Sequence, residues 1–239
     1  MIAGAMALGI QSQAEAVVSL DVRMCHGTTC VDFAAVNDGI FASSFNSVVG
    51  DFLVSSSVDA EENAGSSQAA TTTINVRRIS LANDAEGDNL DIWLNASGYS
   101  MPAGPGYTFS TTLSGTAAAA PAIVPISLVG YFDDNNGTTF PPVGSVSPAT
   151  IGCGLPAGAG TTTCDAGSAS IGVVGNPPFS MTLQTRFTIA NAGNATYGST
   201  AQANITPTAV PEPGSMLLLG TGLLGVARFA RRRFNQATQ

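Results

Sequence analysis

Toward its C-terminal end the chain reads Val210-Pro211-Glu212-Pro213-Gly214-Ser215, then an apolar run from Met216 to Ala227, then Arg228-Phe229-Ala230 and the block Arg231-Arg232-Arg233. The two prolines fix φ and stop a helix from running back toward the N-terminus, so the apolar run is cut off from the body that precedes it. The sixteen residues from Ser215 to Ala230 carry one charge, Arg228, near the inner end. At 1.5 Å per residue they make roughly 24 Å of helix, short of a hydrocarbon core of about 30 Å. Snorkelling of Arg228 or local bilayer thinning makes up the difference. The arginine block stays on the cytoplasmic side, which places everything before Pro211 outside. Three arginines directly after the run, and no amphipathic face, set it apart from a buried C-terminal helix. Gly220-Thr221-Gly222-Leu223-Leu224-Gly225 has the spacing G-x-G-x-x-G. No strand pattern precedes it and no acidic residue follows at the right distance, so nucleotide binding is not read from it.

Pro211-Glu212-Pro213, the apolar run and the Arg231-Arg232-Arg233 membrane-stop cluster, in that order, resemble the PEP-CTERM sorting signal of Gram-negative, exopolysaccharide-producing bacteria. The resemblance covers Val210 to Arg233. It implies export through the Sec translocon, recognition by a membrane-embedded exosortase and cleavage near Pro211-Glu212-Pro213. The C-terminal helix would then be a transient membrane anchor, and the mature protein would be at the cell surface or extracellular.

The opposite end agrees. Met1 to Ile10 is small and apolar, and Ala14-Glu15-Ala16 has the A-x-A form of a signal-peptidase site. No Lys or Arg precedes the apolar region, whereas a signal peptide carries a positive n-region. Either the true start lies upstream, or the segment is a fragment of a signal peptide, or it is a short N-terminus with no targeting role. The expected organisation is a signal peptide at 1–16, an extracellular domain at 17–209, the sorting signal at 210–233 and a cytoplasmic tail at 234–239.

The body is long enough for one domain with a substantial core. Charged residues are 10% of the whole chain and lysine is absent. Between Val17 and Val210 there are fourteen acids and four arginines, a net charge of about −10. Such a surface repels nucleic acid and anionic membranes and tolerates cations and neutral sugars. Low charge with ample Val, Ile, Leu and Phe, and Ser, Thr, Ala and Asn elsewhere, describes an extracellular β protein with a hydroxyl-rich surface.

The pattern predicts strands throughout. Leu90, Ile92 and Leu94 share one face, as do Tyr107, Phe109, Thr111 and Leu113. Val17 to Met24, Thr71 to Leu81 and Ile126 to Phe132 read as further strands. Phe179 to Ile189 alternates clearly, with Thr196 to Ile205 as its expected hairpin partner across Asn191-Ala192-Gly193-Asn194. Val31 to Val54 is ambiguous and leaves room for a short helix, while Ala117 to Ala122 and Gly154 to Thr163 read as loops. No repeat and no second domain appear. The expected fold class is all-β: a single β-sandwich or jelly-roll-like ectodomain, followed by a transmembrane-type helix. Other PEP-CTERM ectodomains offer a looser resemblance, since their last strands often read like Pro178-Phe179-Ser180-Met181-Thr182-Leu183. That resemblance implies an extracellular β-sandwich and no more.

Four cysteines in an exported chain imply disulfides. Of the three connectivities, the local one, Cys25–Cys30 with Cys153–Cys164, is preferred. His26 is the only histidine and sits inside the first loop, so any Ser-His-Asp or Cys-His chemistry would have to use it. A glycosidase needs only two carboxylates, and Glu61, Glu62 and Glu86 are available, but no spacing marks a pair. Asp84, Glu86 and Asp88 alternate in a way that can wrap oxygen ligands around Ca²⁺, and Asp133-Asp134-Asn135-Asn136-Gly137 is a weaker version; the competing reading of both is a polar turn. Asn95-Ala96-Ser97, Asn136-Gly137-Thr138 and Asn194-Ala195-Thr196 are N-x-S/T triplets. Trp93, Tyr99, Tyr107 and Tyr131 could supply a sugar-stacking platform or simply core. The function read from the sequence is an exported, non-enzymatic structural or exopolysaccharide-associated protein with no required cofactor. The alternatives are a Ca²⁺-dependent carbohydrate-binding or adhesive module and a secreted glycan hydrolase.

Overall fold

Alternate residues are buried along strands in the middle of the chain. Tyr107–Ala118 runs buried and open by turns from end to end, and Val124–Asp133 does the same until its last residues. A period of two buries one face of each strand, so two sheets must close on each other. A computed structural model describes this arrangement for residues 18–35, 41–63, 66–79, 89–100, 106–118, 120, 123–175, 177–189, 195–208, 221 and 223.

In chain order the strands are β1 Ser19–His26, β2 Thr29–Ala35, β3 Phe41–Val49, β4 Phe52–Asn63, β5 Ser66–Arg78, β6 Asn89–Tyr99, β7 Tyr107–Ala118, β8 Val124–Asp133, β9 Ile151–Leu155, β10 Thr161–Val173, β11 Phe179–Thr188 and β12 Thr196–Pro207. One antiparallel sheet has the order β2-β1-β6-β11-β8-β9, the other β10-β7-β12-β5-β4-β3. From β5 onward the chain passes back and forth between them. It leaves β5-β12-β7-β10 in one sheet and β6-β11-β8-β9 in the other, which is jelly-roll connectivity. β1 and β2 widen the first sheet beyond β6, and β3 and β4 widen the second beyond β5.

A single apolar core lies between the sheets. Phe109 of β7 meets Phe132 of β8 at 6.1 Å, and Phe132 meets Phe179 of β11 at 5.3 Å. The sheets pack closely at Gly130. A Cβ there would strike Thr111 Cγ2 and stand 3.2 Å from Phe109 Cζ. Arg78 closes one end of the core, with 1% of its surface exposed. Its Nη1 donates to the Ile189 carbonyl at 2.8 Å and its guanidinium lies 5.8 Å from the Phe52 ring centre. The imperfect alternation of β5 is thereby explained: Ile74, Val76 and Arg78 all face inward.

Cys25 is bonded to Cys30 and Cys153 to Cys164. The first pair are directly opposed residues of the β1–β2 hairpin, whose two-residue turn places Gly27 at φ +58°. The second pair joins β9 to β10, the edge strands of opposite sheets, so a covalent bond closes that side of the sandwich.

Three expectations are corrected. Val31 to Val54 holds no helix among the described residues; it supplies β2, β3 and the start of β4, whose Phe52, Val54 and Val58 alternate into the core. β11 and β12 are not hairpin partners: β11 pairs with β6 and β8, β12 with β5 and β7, because the chain changes sheet between them. The segments read as loops are shorter than expected, since β7 extends to Ala118, β9 to Leu155 and β10 begins at Thr161.

Two variants test this packing. Gly130→Ala overpacks a close contact against stiff, β-branched Thr111 and should cost about 1–3 kcal/mol, seen as a lower urea midpoint. Cys153→Ser with Cys164→Ser releases the inter-sheet staple and should cost about 2–3 kcal/mol by loop entropy.

Candidate functional site

The outward residues of the first sheet form rows across its strands. Asp32, Arg23, Trp93, Gln184 and Val129 make one row, read from the registers of β2, β1, β6, β11 and β8. Asp21, Asn95, Thr182 and Tyr131 make the next row, and Asp91 and Arg186 lie in the row on the other side of Trp93. This parity was visible in the sequence: if Leu90, Ile92 and Leu94 face the core, Asp91, Trp93 and Asn95 must face outward.

The segment 134–150 folds over part of this face. Asp133 starts it, its Oδ1 accepting from the Asn135 amide at 2.9 Å and its Oδ2 from the Gly137 amide at 3.1 Å. The Gly137 carbonyl then accepts from Asn95 Nδ2 and from Ser180 Oγ, at 3.2 and 2.8 Å. Asn136, at φ 56°, accepts from the Gly98 amide at 2.7 Å. A two-way backbone bridge between Phe132 and Val146 returns the segment to the sheet. The segment read as the weaker Ca²⁺ loop forms a turn in which both Asp133 oxygens accept from its own backbone. Asn95 is fully buried and also donates to Thr182 Oγ1, so the triplet Asn95-Ala96-Ser97 presents no free amide for a glycan.

This folding delivers Phe140 to the sheet. Trp93 meets Phe140 edge-on at 6.1 Å and lies stacked with Tyr131 at 6.1 Å and 23°. Trp93 is 9% exposed; Tyr131 and Phe140 are half-exposed. The four aromatics weighed in the sequence thus separate. Tyr99 and Tyr107 are core residues, Tyr99 donating its hydroxyl to the Gln68 carbonyl. Trp93 and Tyr131 lie on the outer face, and the sequence did not point to Phe140 as their third member.

Two arginine–carboxylate forks flank the indole. Arg23 donates to Asp32 from Nε and Nη2 at 2.6 and 3.0 Å, and its guanidinium carbon lies 5.1 Å over the Phe140 ring. Arg186 donates to Asp91 from Nε and Nη2 at 2.7 and 2.9 Å, while Gln184 Nε2 donates to the same carboxylate at 3.0 Å. Bidentate geometry holds both planar groups in one orientation. Between β1, β2 and Thr138–Phe140 lies a cleft of 510 Å³, lined by Asp21, Arg23, Asp32, Thr138, Thr139 and Phe140 together with Val22 and Phe33. That volume falls within the roughly 300–1,000 Å³ of small-ligand sites.

The cleft separates its two carboxylates electrostatically. The hydrogen bonds from Arg23 hold the Asp32 carboxyl below the ordinary carboxylate range. Burial, and then the neighbouring Asp32, push Asp21 above it. Burial likewise raises Tyr131, which keeps its hydroxyl proton. Asp32 contributes stability at neutral pH that is lost as pH falls below its folded value. Asp21 has the opposite sign, because its penalty grows as pH rises through its raised folded value. Asp21→Asn should therefore raise the Tm at pH 7, with the gain fading as pH falls through the carboxylate range; a lower Tm at pH 7 would contradict this electrostatic account.

The remaining sequence candidates divide as follows. Asp84, Glu86 and Asp88 lie outside the described residues. No group of three or more potential metal ligands occurs among the described residues. His26 meets Phe52 edge-on at 5.0 Å beside the first disulfide. Of Pro211, Glu212, Pro213 and Arg231, Arg232, Arg233, none is described. Within that segment only Thr221 and Leu223 are, both helical. No helix among the described residues is long and apolar enough to cross a membrane.

Comparison with solved structures finds similarity to the GH26-CBM35 β-(1,4)-mannanase of Podospora anserina, at 20% identity over 63% of this chain and 29% of that one, with a TM-score of 0.26. Tailspike protein 4 of bacteriophage CBA120 is similar at 12% identity over 77% of this chain and 19% of that one, with a TM-score of 0.24. The N-terminal cellulose-binding domain of Cellulomonas fimi β-1,4-glucanase C is similar at 12% identity over 64% of this chain and 85% of that one, with a TM-score of 0.23. This chain spans less than a third of the first two, and scores this low assign neither ligand nor activity. No curated protein matches the chain. The family described as the PEP-CTERM protein-sorting motif matches residues 209–233. That stretch takes in Pro211-Glu212-Pro213, the apolar run and the arginine block, and the chain is accordingly a PEP-CTERM domain-containing protein.

Proposed function

We propose that this protein is a non-enzymatic component of a bacterial cell surface or polysaccharide matrix, delivered there by its sorting motif. The motif at 209–233 carries the reading. Sec export brings the body across the inner membrane. The apolar run then holds it there until an exosortase acts near Pro211-Glu212-Pro213, and the sandwich is released into or onto exopolysaccharide.

The body suits that destination. Its disulfides belong to an oxidising compartment, and one of them closes the sandwich edge. A net charge of about −10 and the absence of lysine keep it off nucleic acid and anionic lipid. The non-enzymatic reading draws on the carboxylates themselves. Asp32 and Asp91 are each held by an arginine fork in the geometry of a structural ion pair. Asp21→Asn and Asp32→Asn that each abolished glycan turnover by the protein would overturn this part of the reading.

The address is tested in the native host. With Pro211, Glu212 and Pro213 all replaced by alanine, the expected outcome is full-length protein held in the membrane fraction. Secretion at the unchanged level would contradict the proposal.

A further inference from the structure

We propose that the outer face of the first sheet is a cation-independent binding site for a neutral glycan, centred on the cleft between Arg23, Asp32 and Phe140. The proposal deepens the matrix reading by naming the partner class and the residues that meet it.

The chemistry of the cleft selects the ligand. A sugar ring offers two surfaces: axial C–H groups that settle on an aromatic face, and equatorial hydroxyls that both donate and accept. The cleft offers both counterparts. Phe140 lines the cleft with a half-exposed ring, the Arg23 guanidinium over it, and Trp93 and Tyr131 continue the aromatic surface beside it. The Arg23–Asp32 fork puts donors and acceptors on one rigid plane at the mouth, and the Arg186–Asp91–Gln184 group repeats that arrangement beyond Trp93. Both forks reach solvent: the Arg23 and Asp32 side chains are 34% and 61% exposed, those of Arg186 and Asp91 46% and 19%. Thr138 and Thr139 add hydroxyls on the opposite wall. Because each fork is already tied, ordering costs on binding are low.

Charge decides between glycan types. The body carries about −10, and the cleft lines two carboxylates against one arginine. A uronate-rich or sulfated polymer would be repelled, while a neutral hexose polymer meets no penalty. Site length fits a chain rather than one sugar. The row from Asp32 through Arg23 and Trp93 to Gln184 spans four neighbouring strands at about 4.8 Å each. No metal is needed in this arrangement, since the ring and the outer edge of the Arg23–Asp32 fork meet the sugar's C–H groups and hydroxyls directly.

The test uses the full chain in a detergent that contains no sugar. The probes are a soluble β-glucan, a β-mannan and a dextran, with alginate as the anionic comparison. Trp93, the only tryptophan, reports directly because it packs against both rings. The expected result is retardation on at least one neutral polymer, a shift of Trp93 emission on titration, no response to alginate and no change with EDTA. Phe140→Ala and Arg23→Gln should each weaken binding at least tenfold. Arg23→Lys should fail to restore it, since an ammonium lacks the planar fork. Thr112→Ala, on the outer face of the second sheet, should bind as the parent does. Parent-level binding by both cleft variants, binding lost on EDTA, or no response to any neutral polymer would each overturn the proposal. None of these outcomes bears on the sorting motif, whose failure would be read in secretion alone.

Discussion

Everything in this sandwich rests on the period-two burial that presses two inner faces together. The contact is tight where Gly130 leaves room for Thr111 and Phe109, and where Gly115 does so for Ile126 and Leu155. Once the apolar residues are committed inward, the outward positions are released from packing duty. The second sheet presents mostly hydroxyls and amides there, such as Ser110, Thr112, Gln202 and Asn204. The first presents tryptophan, tyrosine and two arginine–aspartate forks. That asymmetry between two faces of one jelly roll is the physical origin of the candidate site.

Covalent bonds replace charge as the reinforcement. A chain with so few charged groups gains little from surface ion pairs, and each exposed pair contributes at most about 1 kcal/mol. The Cys153–Cys164 bond instead ties the two sheets where their edge strands would otherwise part. The Arg23–Asp32 and Arg186–Asp91 pairs are better read as devices that fix side-chain planes than as sources of stability. An exported protein can rely on disulfides in this way, and the sorting motif at 209–233 implies export.

Much of the fold was legible in the sequence because burial leaves a period. β6, β7, β8 and β11 were readable from alternating apolar residues, and the local cysteine spacing pointed to the observed pairing. β10 was not legible: its run Thr161-Thr162-Thr163 and Ser168-Ala169-Ser170 is small and polar, as an exposed edge strand can be. The pairing of β11 and β12 was misread because proximity in sequence favours a hairpin, whereas the jelly roll sends the two strands to opposite sheets. At the candidate site, Trp93 and Tyr131 were in view. Phe140 was not, since only the folding of segment 134–150, anchored by Asp133 and Gly137, carries it to the sheet. Arg23 and Asp32 lie nine residues apart and meet only through hairpin register.

As proposed, the chain is exported, oxidised and released as a sandwich after exosortase processing. The most direct measurement is the intact mass of the protein recovered from membrane and secreted fractions of its native host. The account predicts a secreted species ending near Pro211-Glu212-Pro213 and lighter than its reduced form by four hydrogens, two for each disulfide. A full-length species confined to the membrane, or one carrying free thiols, would contradict it.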